Sequence, residues 1–167
     1  SVTDGVSTFG EIYADGGMTR LVNAVEQTFR VETDYYMSLT SSAFESVADI
    51  LGGMVYTPEE DLYYLSQEDA SLDVSYRAGG TVSLSGREIN LICQSPVFSQ
   101  GRGGNVEFLG EALYQLVNGA FQQNNITRNN LDNIYNIMSA DSDTNLTDSV
   151  MEQHKSYMTE MLSRDIE

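Results

Sequence analysis

The sequence has few cationic side chains, and this limits its possible partners. Of its 167 residues only 8 are lysine or arginine, against 25 aspartates and glutamates, so the formal net charge is -17. Nucleic-acid binding depends on clustered Lys and Arg that neutralise phosphates and release counterions. Because a surface of this charge repels polyanions, we expect no nucleic-acid partner.

Cysteine and long apolar runs are also scarce. Cys93 is the single cysteine, so no disulfide can form within the chain. No run approaches the roughly 18 apolar residues of a membrane span, and the N-terminus lacks the basic and apolar regions of a signal peptide. The chain as given is therefore predicted to be soluble.

The composition that remains is typical of a globular domain. Hydrophobic residues make up 41% of the chain and charged residues 20%. A chain of 167 residues has the usual size of one domain and can bury a substantial core. We find no internal repeat and no low-complexity linker, so a single domain over residues 1–167 is expected.

A strand, a helix and a second strand are predicted between residues 31 and 56. Residues 34–39 are rich in strand formers, and Ser42-x-x-Glu45 has the spacing of a capping box. The helix should end at Gly52, which begins a glycine pair. Both element types therefore occur within one short stretch.

The flanking segments extend this pattern into an α/β fold. Residues 1–16 are predicted as an irregular lead-in, and residues 57–65 as a short helix or turn. Alternating apolar residues on both sides of Gly79-Gly80 predict a hairpin. Further helices are predicted over residues 18–29, after Ser85-x-x-Glu88, over residues 105–121, from Thr127, and over residues 146–162. We expect a mixed central β-sheet sandwiched by α-helices, with a helical C-terminal third.

The order of these segments resembles the LytR-CpsA-Psr family. That family has a strand around Asp-Tyr-Tyr, here Asp34 to Tyr36, and a helix ending in Asp-x-Leu-Gly-Gly, here Asp49 to Gly53. Residues 9–17 (FGEIYADGG) resemble its aromatic and Gly-Gly segment, and residues 82–92 its Leu-x-Gly helix entry. The resemblance covers nearly the whole chain and depends on order and spacing.

The resemblance implies a location and an activity. Family members are envelope proteins with an N-terminal membrane anchor, so we expect the extracellular face of a bacterial cell envelope and an anchor outside this chain. The implied reaction transfers a glycopolymer from a polyprenyl-pyrophosphate carrier to peptidoglycan, with Mg²⁺ and arginines neutralising the pyrophosphate. The family's sheet also uses earlier strands, which carry a Ser-Ile-Pro-Arg-Asp type motif. Nothing here matches that motif, so we expect either that the sheet lacks these strands, or that they come from another chain or are replaced.

Most of the arginines that the resemblance implies have no counterpart here. A pair should fall near Gln94 and Pro96, and neither residue is cationic. The next loop should supply Asp, Arg, Arg and Gln, but residues 100–105 read Gln-Gly-Arg-Gly-Gly-Asn. Arg102 is the nearest match, displaced by one position. We expect a divergent protein in which most catalytic arginines are missing.

The same loop is a candidate anion site on physical grounds alone. Its glycines free the backbone, Arg102 adds charge, and the following helix offers N-terminal amides to an anion. A flexible surface connection is the alternative. The candidate substrate-binding residues are Gln94, Gly101, Arg102, Gly103, Gly104 and Asn105. No catalytic residue or metal ligand is assigned, and Mg²⁺ is implied only by the resemblance.

Three functions remain open from the sequence. The first is a divergent glycopolymer transferase that binds polyprenyl pyrophosphate through Arg102 and backbone amides. The second is a non-catalytic module that binds the lipid or a cell-wall glycopolymer. The third is the C-terminal part of an intact enzyme whose remaining residues supply the missing charge. Cys93 is predicted to be a packed thiol and His154 a structural or surface residue, since neither has a partner at catalytic or metal-ligand spacing.

Overall fold

The computed structural model describes residues 8–67, 69–140 and 142–163, which form helices and short strands. The helices are α1 (Phe9–Phe29), α2 (Ser41–Ile50), α3 (Gly86–Gln94), α4 (Arg102–Gln122), α5 (Asn124–Asn129), α6 (Leu131–Ser139) and α7 (Asp148–Ser163). The strands are β1 (Met54–Tyr56), β2 (Leu62–Tyr64), β3 (Val74–Tyr76) and β4 (Val82–Leu84). The α/β class and the helical C-terminal third are confirmed.

The strands of the described residues form two antiparallel pairs and no continuous sheet. β1 pairs with β4, and β2 pairs with β3. The predicted hairpin is therefore wrong in its pairing, because β3 and β4 each pair with an earlier strand. The connection between them is held instead by the Gly79 amide, which donates to the carbonyl of Pro58 at 2.8 Å. Of the short helix or turn predicted over residues 57–65, the helix does not form: Glu59 and Glu60 lie in a bend, and β2 occupies the end of the range.

The core lies between the two strand pairs and helices α3 and α4. Each strand contributes one buried apolar residue, and the rings of Tyr56 and Phe108 meet edge to face with centroids 5.0 Å apart. The buried members are Met54, Leu62, Val74, Leu84, Ile89, Ile92, Val97, Phe108 and Ala112. Because Val97 belongs to this core, the connection between α3 and α4 is anchored to it.

Helix α1 begins earlier than the sequence pattern predicts. Thr8 caps it in a capping box with Glu11, so the expected irregular lead-in is wrong for residues 9–16, and residues 1–7 lie outside the described residues. Gly17 interrupts the helix with a φ of 64° and a ψ of -163°. The chain folds back at this kink, as the centroids of the Phe9 and Phe29 rings at the two ends of α1 are only 6.0 Å apart.

The strand predicted over residues 34–39 does not form. The segment lies instead against residues 142–145, where Met37 makes an isolated bridge with Thr144. The Thr144 hydroxyl donates to the carbonyl of Tyr36 at 2.6 Å. A strand pair needs backbone-to-backbone bonds over several residues, and the bonds between these two segments run mostly through the side chains of Ser38, Thr144 and Asn145.

The predicted caps of α2 and α5 are also corrected. Thr40 caps α2 by accepting from the Ala43 amide at 3.2 Å, while Glu45 accepts from Asn90 of α3 at 2.6 Å. Ser42 is therefore not the N-cap. Thr127 does not open a helix, because it lies within α5 and its buried hydroxyl donates to the Ala120 carbonyl at 2.8 Å.

The capping box at the start of α3 is confirmed. The Ser85 amide and hydroxyl donate to the Glu88 carboxylate at 2.8 and 2.7 Å, and the Tyr76 hydroxyl donates to it at 2.9 Å. Burial opposes ionisation of Glu88, but these hydrogen bonds outweigh it and hold its pKa below the usual 4.5. Burial and the bond to Glu88 raise the pKa of Tyr76 to about 12.

We expect the Glu88→Gln substitution to destabilise the protein in a pH-dependent way. Glutamine can still accept hydrogen bonds, so the loss near pH 7 is that of the charge, about 1 kcal/mol. Since the folded pKa lies below the unfolded value, this contribution is complete above about pH 4.5 and is lost as the pH falls through the folded pKa. Urea unfolding of both proteins between pH 7 and pH 3 measures it. A difference that stays constant over this range contradicts the assignment.

Candidate functional site

An open cleft of about 660 Å³ lies between the C-terminal end of α3 and the N-terminal end of α4. It is lined by Cys93, Gln94, Ser95, Pro96, Gly101, Arg102, Asn105, Val106 and Leu109. The structure therefore brings four of the predicted site residues into one cleft. Gly103 and Gly104 belong to the first turn of α4 but do not line it.

Helix α4 begins at Arg102, three residues before the predicted start at Asn105. Gly101 is its N-cap and has a φ of 62°, a conformation that glycine adopts without a steric penalty. A Cβ on Gly104 would lie 2.4 Å from the Cβ of Phe98, so this position requires glycine. A Cβ on Gly103 would approach only the end of the Gln100 side chain, at 4.0 Å.

Asn105 joins the two helix ends that form the cleft. Its side-chain Nδ2 donates to the carbonyl oxygens of Ile92, Cys93 and Ser95 at 3.0, 3.1 and 3.0 Å. The C-terminal carbonyls of a helix have no partner within the helix. Asn105 supplies one for the end of α3, which ties the first turn of α4 to it.

Gln94 lies at the outer end of α3 and is exposed. Its Nε2 donates to Asn90 Oδ1 at 2.7 Å and to the Ser41 hydroxyl at 3.3 Å. These bonds direct its amide group towards α2. Gln94 therefore contributes a neutral polar wall to the cleft and carries no positive charge.

Arg102 is the charged residue among those that line the cleft. Its side chain is exposed at the start of α4, where the helix N-terminus also favours an anion. The pKa of Glu11 is lowered by hydrogen bonds from the backbone and side chain of Thr8, and to a smaller extent by Arg102. The beginning of α1 therefore lies within the electrostatic reach of Arg102.

Two apolar residues of α4, Val106 and Leu109, form the side of the cleft that the sequence analysis missed. The apolar spacing of α4 indicates one wide buried face, but only its Phe108 side is buried. Leu109 is 37% exposed and Val106 70%. Their stripe continues along the helix through the exposed Leu113 and Val117. The sequence signal for this exposed stripe was that α4 carries more apolar residues than one buried helix face can hold.

Cys93 lines the cleft with a protonated thiol. Burial raises its pKa to about 11, so the thiolate is negligible near neutral pH. The thiolate is the nucleophilic form of cysteine. The side chain therefore acts here as a small apolar group, in agreement with the sequence prediction.

The residues of the cleft do not fit Mg²⁺. This ion prefers carboxylate and water oxygens, and the cleft lining contains no carboxylate. Acidic residues such as Glu59, Glu60, Glu107 and Glu111 line a separate depression of about 240 Å³. Among residues 8–67, 69–140 and 142–163, no group of three or more His, Cys, Asp or Glu side chains has a geometry that could hold a metal ion.

The α/β fold is that of a LytR-CpsA-Psr domain. The model of the LytR_cpsA_psr family matches residues 3–167. The chain therefore belongs to this family, whose members are associated with the cell envelope. A search of curated proteins finds no match.

Solved structures of low sequence identity share the fold. A proposed transcription regulator from Eubacterium siraeum DSM 15702 has a TM-score of 0.76 and 16% identity, over 99% of this chain and 63% of its own. TagV from B. subtilis has a TM-score of 0.65 and 17% identity, over 97% and 60%. TagT bound to LI-WTA has a TM-score of 0.65 and 20% identity, over 93% and 56%. The chain thus spans less than two thirds of the length of each of these three structures.

None of the described helices, from α1 to α7, is both long and apolar enough to cross a bilayer.

Proposed function

We propose that this chain binds a polyprenyl-pyrophosphate-linked glycopolymer in the cleft between α3 and α4. The pyrophosphate would lie at Arg102 and the first turn of α4, with the lipid against Val106 and Leu109. The observation that supports this proposal is the position of a cation and a helix N-terminus beside an exposed apolar wall. The chain would form a single domain over residues 1–167 that lacks the family's N-terminal strands, and it would face the outside of the cell.

The headgroup end of the cleft is favourable to an anion for two reasons. Arg102 can donate charge-assisted hydrogen bonds to phosphate oxygens. The α4 N-terminus adds a partial positive charge and backbone amides, and Gly101 and Gly103 have no side chains that would cover it. These contributions act at one place, since Arg102 is the first residue of α4. Gln94 would border the same headgroup as a neutral neighbour.

The apolar wall favours a lipid over a free sugar phosphate. Val106 and Leu109 lie about one and two turns from Arg102 on the same helix and remain exposed. Burying apolar surface contributes roughly 25 cal/mol per Å², so covering these side chains would add to the affinity. The cleft volume of about 660 Å³ lies within the range of small-molecule sites, which is about 300–1,000 Å³. It can therefore hold a headgroup and the first isoprene units.

The structural neighbours support the substrate class. TagT is described as bound to LI-WTA and to LIIa-WTA, forms of wall teichoic acid. Identity of 20% shows a shared fold, so the ligand of TagT enters here as part of the proposal. We propose that the full-length protein is a divergent relative of the transferases that attach such polymers to peptidoglycan, held at the membrane by an anchor outside this chain.

A non-catalytic binding module is the second candidate, and the charge of the cleft favours it. Transfer from a pyrophosphate requires cations that stabilise the developing charge on the leaving phosphate. In the cleft Arg102 is the charged lining residue, and Gln94 and Pro96 are neutral. This would suffice for binding, but it provides less stabilisation than transfer requires. We therefore assign no catalytic residue and no step that uses Mg²⁺.

Titration with polyprenyl pyrophosphate and with the uncharged polyprenol of equal chain length tests the proposal. Both lipids are presented in the same detergent, with and without Mg²⁺. We expect the pyrophosphate to bind about tenfold more tightly or better, since one charge-assisted contact contributes roughly 1.4 kcal/mol or more. Equal affinities, or no binding, contradict the proposal. Release of polyprenyl phosphate from a lipid-linked polymer would then separate the transferase from the binding module.

A further inference from the structure

The cleft is formed by two helix ends of opposite polarity. The C-terminal end of α3 carries a partial negative charge of about half an electron, and the N-terminal end of α4 a similar positive charge. An anion in the cleft would be attracted by one end and repelled by the other. Which end dominates depends on how the carbonyl groups after Leu91 are covered.

Asn105 covers three of these carbonyl groups. Its amide donates to the oxygens of Ile92, Cys93 and Ser95, all within 3.1 Å. Asn105 itself is half-buried, and Ser95 is buried with 5% of its surface exposed. Three carbonyl oxygens at the negative end of α3 are therefore hydrogen-bonded to a residue of α4 and are less available to face an anion in the cleft.

The same hydrogen bonds fix the position of Arg102. Asn105 is the fourth residue of α4, three positions after Arg102. Hydrogen bonds that hold Asn105 therefore hold the first turn of the helix. Gly104 packs directly on Phe98, which prevents a rotation of this turn about the helix axis. The Arg102 backbone is thereby held at the mouth of the cleft.

We propose that Asn105 is a positioning residue for anion binding, an inference that rests on the proposed function of the cleft. Its side chain would not contact the pyrophosphate through Nδ2. It would instead withdraw the α3 carbonyl oxygens from the anion and hold Arg102 and the α4 amides towards it. Affinity for the charged headgroup would depend on Asn105, whereas affinity for the lipid chain would not.

Three variants test this role. Asn105→Ala removes all three hydrogen bonds. Asn105→Ser has a shorter side chain whose hydroxyl can still donate one hydrogen bond. Asn118→Ala is the matched control, because Asn118 lies further along α4 and outside the cleft lining. Each variant is titrated with polyprenyl pyrophosphate and with polyprenol. Hydrogen exchange of the backbone amides over residues 94–106 is measured on the same proteins.

We expect Asn105→Ala to lose about tenfold in affinity for the pyrophosphate and to keep its affinity for polyprenol. Exchange over residues 94–106 should increase, Asn105→Ser should recover part of both effects, and Asn118→Ala should match the wild type. Equal losses for the two lipids, or unchanged exchange, overturn the positioning role. If the wild-type protein shows no preference for the pyrophosphate, the proposed function fails, and the exchange data still decide whether Asn105 holds the loop.

Discussion

Replacing Gly86 by alanine is expected to destabilise the fold strongly. A Cβ at this position would lie 2.1 Å from the carbonyl oxygen of Glu45 and 2.7 Å from its Cα. Both are backbone atoms of α2, so no side chain can move aside. Relief requires α2 and α3 to separate, which would also break the bond from the Gly86 amide to Asp49 Oδ1 at 2.7 Å.

We expect a loss of about 3 kcal/mol or more in the free energy of unfolding, the upper range for overpacking. For a chain of this size that lowers the melting temperature by roughly 10 °C. Gly110→Ala is the control, since Gly110 lies in α4 with no atom within 4 Å of the new Cβ. It should stabilise by about 0.5–1 kcal/mol through helix propensity. Similar melting temperatures for the two variants would show that α2 and α3 are not packed as described.

Removing the charge of Arg102 is expected to have the largest effect on binding. A hydrogen bond to a charged group contributes about 1.5–3 kcal/mol, so Arg102→Ala should weaken polyprenyl pyrophosphate binding roughly 10- to 100-fold. Polyprenol binding should not change, because the apolar wall is intact. The affinity of Arg102→Lys for polyprenyl pyrophosphate should lie between those of the wild type and Arg102→Ala, since lysine keeps the charge but loses the paired donors.

Arg77→Ala controls for net charge in this titration. Arg77 lies in the exposed connection between β3 and β4 and does not line the cleft. Its loss changes the total charge as much as the loss of Arg102. If both variants weaken binding equally, a general electrostatic attraction explains the affinity and the cleft site is wrong. Wild-type affinity should also fall with added salt, and more steeply than that of Arg102→Ala.

Features encoded within a few residues were predictable from the sequence. The capping box of Ser85 and Glu88 was found because its two hydrogen bonds join residues three apart. Strand pairing was not predictable from the sequence, because the partners of β3 and β4 depend on which earlier strands lie near them in the folded core. The strand prediction for residues 34–39 was wrong for the same reason, since strand-forming residues do not specify which segment they pair with.

The candidate site was predicted as a segment but not as a geometry. The glycines and Arg102 identified the loop, since residue type alone limits what it can do. The role of Asn105 was missed because its three acceptors belong to another helix end, 10 to 13 residues earlier in the chain. Helical periodicity located the apolar residues of α4 but not which of them are covered, so Val106 and Leu109 emerged only from the fold.

The location of the bound lipid is the most direct test of this account. A polyprenyl pyrophosphate with a photoreactive group in its first isoprene unit is cross-linked to the protein, and the labelled peptides are mapped. We expect labelling at Val106 and Leu109 that an excess of polyprenyl pyrophosphate suppresses. Labelling concentrated elsewhere would contradict it, for example between α2 and α6, where Ser46 and Met138 line another depression.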